Sequence, residues 1–267
     1  MSEPLRIGIV GARGIGRHHA RWFARAGCDV RAVYATSEES ARQAAAHLRD
    51  SFGFRGQAFH DWDAFVRHGE FEACSVCSPA ECHWPHVRDL AAAGKHLLCE
   101  KPLVWNWSYS PLQIIEEATR LVEACAHHGV ILGVNAQYPA AVPGWLELHR
   151  RLLGREPEYR AVRFVLETRG RPRSPHGAAE VWVDLGPHPL AVLDALAPGG
   201  VDWETLRHQD GPLEVTLEFD WVSGPRRIAV HIECRRSEAG PLRRQVGNQD
   251  LVVDYQACQI EEEYRTL

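Results

Sequence analysis

The stretch LRIGIVGARGIGRHHARWF, residues 5–23, sets the architecture of the first half of the chain. Residues 5–10 form a short, nearly unbroken apolar run. Glycines follow at 11, 14 and 16, and a helix-like segment continues through Ala26. Glycines at a strand-to-helix turn let the backbone bend sharply and approach a pyrophosphate, which the positive end of the following helix then stabilises. The usual spacing is GxGxxG, whereas Gly11 to Gly16 reads G-A-R-G-I-G. Arg13 stands where the second glycine belongs, with Gly14 and Ile15 ahead of Gly16. After a chain-opening apolar strand in a βαβ unit, such a turn favours a dinucleotide over a purely structural bend.

Beyond this turn the first half alternates. VRAVYA (30–35) is a second apolar run, and the polar-faced helix SEESARQAAAHL (37–48) follows it. A short strand at 57–59 leads to ACSVC (73–77); a helix over 83–93 precedes HLLCE (96–100); VILGVN (130–135) closes the series. Ser110 and Pro111 read as N-cap and first-turn proline of a further helix, with Leu112, Ile115, Leu121, Val122 and Cys125 spaced for one apolar face. Strands buried on both faces and alternating with helices specify an α/β domain, a doubly wound parallel sheet over residues 1–135. From 136 to 267 the pattern changes. After a helix around 141–153, long strands are expected at 159–168, 213–221, 227–236 and 250–256. EVTLEF (214–219) alternates apolar and polar, as in a sheet with one packed face. One helix runs from about Asp184 to Leu196, and the connection from Leu196 to Leu213 reads as short. The expectation is a compact α+β domain with an open, mainly antiparallel sheet.

Composition narrows the function. Hydrophobic residues make up 45% and charged residues 24%, which excludes a mostly disordered chain. The net charge of −5 gives no sign of the basic face of a nucleic-acid binder. Charges break every apolar run well before the ~18 residues of a membrane span. The start, MSEPLRIGIVG, lacks the pattern of a signal peptide. A cytoplasmic protein with no membrane partner is expected. Cys74 and Cys77 form a CxxC inside a buried strand, with no second such pair at zinc spacing. Residues three apart on a strand face opposite sides, so reduced thiols and no metal are expected. His18-His19 and His127-His128 read as surface histidines.

About twenty residues after the glycine turn, an acidic residue would bind the ribose 2′-hydroxyl of NAD. Ala35 occupies that place, and Thr36 and Ser37 offer hydroxyls, which leans toward NADP. Against this, no arginine follows at once and Glu38 and Glu39 lie close. Thr36 and Ser37 equally suit a helix cap.

The segment CSPAECHWPHVRDLAAAGKHLLCEKPL (77–103) ends in Glu100-Lys101-Pro102 at the C-terminal edge of a strand, where open parallel sheets bind ligands. Pro79-x-x-x-His83, Ala93-Gly94-Lys95-His96 and Glu100-Lys101-Pro102 appear in order and spacing. With the glycine turn and Asp184-x-x-x-His188, this resembles the glucose–fructose oxidoreductase/inositol dehydrogenase (Gfo/Idh/MocA) family over residues 5 to about 236. The resemblance implies an N-terminal Rossmann domain carrying NAD or NADP, with contacts from Ser78, Pro79, His83, Glu100 and Lys101. It also implies hydride transfer at a carbinol carbon of a sugar, cyclitol or related molecule. Lys101 then corresponds to the catalytic lysine, and Asp184 and His188 to the acid/base pair.

The residue chemistry agrees. Loss of hydride from a C–H bond requires the neighbouring hydroxyl to lose a proton, and a histidine can take and return one near neutrality. Asp184 and His188, four apart, are expected on one face of a single helical turn, where Asp184 orients the ring or both address the substrate. Lys101 supplies positive charge for a developing alkoxide. The alternatives are an N-cap, a packed histidine and a surface cation. Trp105, Trp107 and Tyr109 either wall a sugar pocket or plug a loop. Arg169, Arg171 and Arg173 either bind an anionic substrate group or form a solvated basic loop. Ala80 stands where many members of the family carry Asn or Asp. Two rival functions remain: an imine- or biliverdin-type reductase, and a non-catalytic NAD(P)-sensing regulator. A reduced second sheet predicts exposed apolar surface, covered in a homo-oligomer, dimer or tetramer, through that sheet.

Overall fold

The computed structural model describes residues 3–68, 70–170 and 175–254. Two compact units divide the chain, Met1–Asn135 and Ala136–Leu267. No helix among the described residues is long and apolar enough to cross a membrane.

The first unit is the expected alternation. Its elements are β1 (Arg6–Val10), α1 (Ile15–Arg25), β2 (Asp29–Tyr34), α2 (Glu38–Phe52), β3 (Gln57–Phe59), α3 (Trp62–Arg67), β4 (Ala73–Val76), α4 (His83–Ala92), β5 (His96–Glu100), α5 (Pro111–His127) and β6 (Leu132–Asn135). The strands order as β3-β2-β1-β4-β5-β6, every neighbouring pair parallel. Strand order reverses between β1 and β4, and the crevice at the strands' C-terminal ends there is the ligand-binding position of such sheets. One face buries Ile7, Ile9, Val33 and Leu48, and the other buries Val10, Val76, Leu90, Cys99 and Leu121. Cys74, Cys77 and Cys99 are buried free thiols.

Ser110 caps α5 as expected: its Oγ accepts from the Gln113 amide and the Gln113 side chain accepts from the Ser110 amide at 2.8 Å. The apolar face of α5 differs from the expectation. Leu121 and Cys125 enter the core, while Leu112, Ile115 and Val122 are exposed. At 100° per residue the latter three lie on a separate stripe.

The second unit holds α6 (Val142–Leu153), β7 (Ala161–Arg169), α7 (Ala178–Leu185), α8 (Pro187–Leu196), β8 (Gly200–Asp210), β9 (Glu214–Ser223), β10 (Arg226–Ser237), β11 (Arg244–Asn248) and β12 (Val252–Asp254). The order is β12-β11-β7-β10-β9-β8, antiparallel except for β7 and β10. Three expectations change. The connection from 196 to 213 contains the eleven-residue edge strand β8, which pairs on one side only. β11 adds another strand, so the described sheet is six strands wide. The single helix at 184–196 is two helices: α7 starts at Ala178, and Pro187, lacking an N–H, separates it from α8 at Gly186. The strand expected at 250–256 is described only to Asp254.

One face of this sheet packs Phe164, Leu166, Phe219, Trp221, Ile232 and Cys234 against Val181, Leu185 and Leu193 of α7 and α8. Trp221 Nε1 donates to the Ala197 carbonyl at 2.7 Å, tying β9 to the end of α8. The other face carries charged pairs, while the sheet also exposes Trp203 on β8 and Val252 on β12. Arg163 pairs with Glu233, Arg243 with Glu167 and Glu233, His231 with Glu218, and Arg227 with Asp202 and Asp220. Phe164→Ala, at a fully buried position of β7, is expected to cost about 3–5 kcal/mol. Denaturant unfolding measures this, and a loss under about 1 kcal/mol would contradict the placement of the core.

Candidate functional site

The glycine turn is built by close approach. A Cβ on Gly11, whose φ is +80°, would lie 2.7 Å from the Cys77 carbonyl oxygen. One on Gly16 would meet the Gly11 carbonyl at 2.2 Å. Gly14, at φ +49°, has nothing within 4 Å of a Cβ, and it leads into α1 with no side-chain cap. The Gly16 amide donates to the Arg13 carbonyl at 3.0 Å within the turn. The start of α1, with no side-chain cap and open space at Gly14, suits the pyrophosphate of a dinucleotide. Arg13 fits without positive φ. Its side chain leaves the turn for α2, where Nη2 donates to Ser40 Oγ at 2.9 Å.

At the end of β2, Ala35 is buried and Ser37 caps α2, accepting from the Ser40 amide at 3.3 Å. Ser37 Oγ also donates to Ser40 Oγ at 2.9 Å. Ser40 therefore joins the cap to Arg13, a contact that spans 27 residues and was not visible in the sequence. Glu39 turns away onto Arg42 and Gln43. Tyr34 packs against Trp62 and His86.

After β4, Ser78 Oγ and His86 Nδ1 share a hydrogen bond of 2.9 Å. Burial, reinforced by the charge of His83, lowers His86 to about 4. His83 is buried and bridges two backbone carbonyls, Ser78 at 2.8 Å and Pro102 at 2.9 Å. The ring thus lies between the loop after Pro79 and the Lys101–Pro102 turn, one nitrogen facing each carbonyl. Trp105 and Trp107 meet edge to face at 5.2 Å, and Tyr109 is exposed.

His19 departs from its expected place on the surface, whereas His18 is exposed. His19 is 9% and Glu100 8% exposed, and His19 Nε2 lies 2.9 Å from Glu100 Oε1. Nδ1 lies 2.8 Å from Ser75 Oγ, and Asn135 Nδ2 donates to the same Glu100 oxygen at 2.5 Å. Burial disfavours the charged ring. Cys77 and Glu100 more than offset this, and together they raise His19 to about 9. Burial likewise works against the Glu100 carboxylate, yet His19, Asn135 and the Lys101 charge hold it below its usual value.

In the second unit, Asp184 ends α7 and His188 begins α8 across the Gly186–Pro187 break. Asp184 Oδ2 accepts from Arg236 Nη2 at 3.3 Å, and the buried Arg236 also pairs with Glu180. His188 is 6% exposed, and its ring lies against Tyr138 with centroids 4.8 Å apart. The Tyr138 hydroxyl accepts from Arg244 at 3.1 Å. Arg169 donates to the Gly240 carbonyl. Arg171 and Arg173 lie outside the described residues. A concavity of about 500 Å³ lies elsewhere, on the charged sheet face beside Arg163, Arg207, Glu218 and His231.

Residues 5–136 match the family model GFO_IDH_MocA, described as an oxidoreductase family with an NAD-binding Rossmann fold. Inositol 2-dehydrogenase of Paracoccus denitrificans is 29% identical over 221 residues, 82% of this chain and 56% of that protein. Inositol 2-dehydrogenase of Cereibacter sphaeroides is 31% identical over 191 residues, 71% of this chain and 53% of that protein. The chain thus spans about half the length of these two relatives. UDP-N-acetylglucosamine 3-dehydrogenase of Acidithiobacillus ferrooxidans aligns with a TM-score of 0.72 at 23% identity, covering 94% of this chain and 77% of that one. A scyllo-inositol dehydrogenase of Lactobacillus casei, solved with NAD(H) and scyllo-inositol, aligns with a TM-score of 0.69 at 14% identity, covering 94% of this chain and 76% of that one. At these identities the two structures establish the fold alone.

The His19–Glu100 pair fixes a pH dependence. His19 is raised from 6.5 to about 9, so its contribution to stability is complete below 6.5 and is lost as pH rises through 9. Glu100 is lowered from 4.5, so its contribution is complete above 4.5 and is lost in more acid solution. Glu100→Gln should flatten the decline between pH 6.5 and 9 in thermal unfolding. Parallel curves for wild type and variant over that range would contradict the pairing.

Proposed function

The chain belongs to the Gfo/Idh/MocA oxidoreductase family, and from that premise we propose that it is an NAD(P)-dependent dehydrogenase. It would move a hydride between the nicotinamide and a carbinol or ketone carbon of a sugar, cyclitol or nucleotide-sugar-like substrate. One observation supports this above the others. The uncapped start of α1 and the Glu100-Lys101-Pro102 turn lie at the same C-terminal edge of one parallel sheet. Residues 1–135 serve as the cofactor domain. Residues 136–267 bind substrate and join copies in a dimer or tetramer, in the cytoplasm.

The glycine turn and the first amides of α1 hold the pyrophosphate. A cofactor held there would supply the hydride acceptor for an alcohol or the hydride donor for a ketone. Lys101 donates a hydrogen bond to the substrate oxygen and stabilises the negative charge that grows there. His188 accepts the hydroxyl proton and returns it in the reverse direction, work typically worth ~10²–10⁴-fold in rate. Asp184, with Oδ2 engaged by Arg236, addresses the substrate hydroxyls as a fixed acceptor. The names of the inositol dehydrogenase relatives support a polyol substrate.

A panel of cyclitols, sugars and nucleotide sugars, followed by cofactor absorbance, tests the activity. Lys101→Ala and His188→Ala should each lower kcat by about 100-fold or more, with cofactor affinity nearly unchanged. Wild-type turnover in either variant would refute that residue's role. Tight cofactor binding without turnover of any substrate would point to the regulatory reading, and turnover of imines alone to a reductase.

The cofactor itself is proposed to be NADP. Arg13, Ser37 and Ser40 cluster at the end of β2, where Ala35 replaces the acidic residue that would repel a 2′-phosphate. Charge-assisted hydrogen bonds of about 1.5–3 kcal/mol predict that Arg13→Ala weakens NADPH binding about 10–100-fold. NADH binding should hardly change. Titration calorimetry measures both, and equal losses for the two cofactors would refute the 2′-phosphate role.

A further inference from the structure

A buried polar chain runs beneath the strand end that carries Lys101, and hydride transfer as described does not use it. His19 on α1, Ser75 on β4, Glu100 on β5 and Asn135 on β6 reach it from four different elements. Burying an ion pair costs several kcal/mol per ion, and well-packed apolar side chains of the same volume often do as well or better. Stability alone therefore gives weak reason for charges here. Their location suggests another reason, because the pair ends one residue before Lys101.

We propose that His19, Glu100 and Asn135 are positioning residues that lock the end of β5, so that the Lys101 amine is held in one direction. This rests on the assignment of Lys101 to the substrate oxygen. Glu100 Oε1 receives His19 Nε2 at 2.9 Å from α1 and Asn135 Nδ2 at 2.5 Å from the neighbouring strand. Glu100 and Asn135 also face one another in the parallel ladder. With its backbone in register and its carboxylate held from two sides, Glu100 has little freedom to turn, and it fixes where the next side chain leaves the strand. The groups around the ring fit a doubly protonated imidazole. Nδ1 faces the Ser75 hydroxyl, Nε2 faces the carboxylate with Asn135 Nδ2 3.1 Å away, and the Cys77 and Cys99 thiols and the Lys101 charge are the other titratable neighbours of the pair. Phe23 of the same helix borders the ring with its apolar edge.

The chain offers a direct readout, because Lys95 and Lys101 are its only lysines. Reductive ¹³C-dimethylation gives each its own NMR signal and keeps its charge. Lys95 donates to the Phe71 carbonyl at 2.8 Å and serves as the internal control. In His19→Leu and Glu100→Gln the Lys101 signal should shift or broaden while that of Lys95 stays in place. For the polyol that the wild type oxidises, kcat should fall about 10–100-fold, the cost expected of a misplaced reacting group. In His19→Leu, whose side chain is not among the expected cofactor contacts, cofactor affinity should stay within about twofold, since only the direction of the Lys101 amine is disturbed. His19→Gln, which can still donate to Glu100, should recover part of the loss. His19→Leu/Glu100→Gln should be no slower than the slower single variant, since both break one unit. If His19→Leu fails to fold, Glu100→Gln and Asn135→Ala carry the same readouts. Folded variants with wild-type kcat and an unmoved Lys101 signal would overturn the proposal, as would additive losses in the double variant. If the wild type oxidises no alcohol but the Lys101 signal still responds, the positioning stands and the substrate assignment falls.

Discussion

The backbone contact between the glycine turn and the end of β4 is the constraint on which the first unit depends. The chain leaving β1 comes so close to the Cys77 carbonyl, and the start of α1 so close to the Gly11 carbonyl, that neither Gly11 nor Gly16 has space for a Cβ. That approach points the uncapped start of α1 along the ligand-binding edge. It also presses the next turn of the helix onto the sheet, which is why His19 meets Ser75 and Glu100 and not water. One close contact thus places the start of α1 and the buried ion pair together.

The two units handle charge in a parallel way. In the first, buried His19 and Glu100 stand directly behind Lys101. In the second, buried Arg236 stands behind Asp184, with Glu180 as its other partner. Each arrangement places a desolvated charge next to a residue assigned to chemistry, where fixed geometry matters more than net stability. The ion pairs on the open sheet face are a different case. The pairs of Arg163 and Arg227 are solvated, and such exposed pairs add little to stability. They keep the face polar but do not hold the sheet together.

Local features were readable because the residues that form them are close in sequence. The glycine turn, the Ser110 cap with Pro111, and the apolar runs of β1, β4 and β5 need only a few neighbouring residues to define them. What escaped depends on distant partners. His19 reads as a surface residue until Glu100, 81 positions on, is brought beside it. A local clue existed in its place on the same side of α1 as Ala20 and Phe23, which pack inward. Arg13 looked like a defect in the motif, and only the fold shows its reach to Ser40. β8 was missed because an edge strand with one partner tolerates GVDWETLRHQD, a sequence without an apolar run. The Gly186-Pro187 pair was legible as a breaker, but the Asp184–His188 spacing suggested a continuous helix.

The choice of lysine at position 101 gains weight from the rest of the chain. Apart from Lys95, every other long cationic side chain is an arginine. Lys95 is occupied structurally, since its amine bonds to the Phe71 carbonyl and lies 4.6 Å from the centre of that ring. Arginine presents a planar fork suited to carboxylates and phosphates, whereas lysine presents a compact charge at the end of a flexible stem. Such a charge can meet a single oxygen, but only if something stops the stem from wandering. Lys101 is therefore where a point charge would be required, and the pinned Glu100 before it supplies the restraint that a flexible side chain lacks.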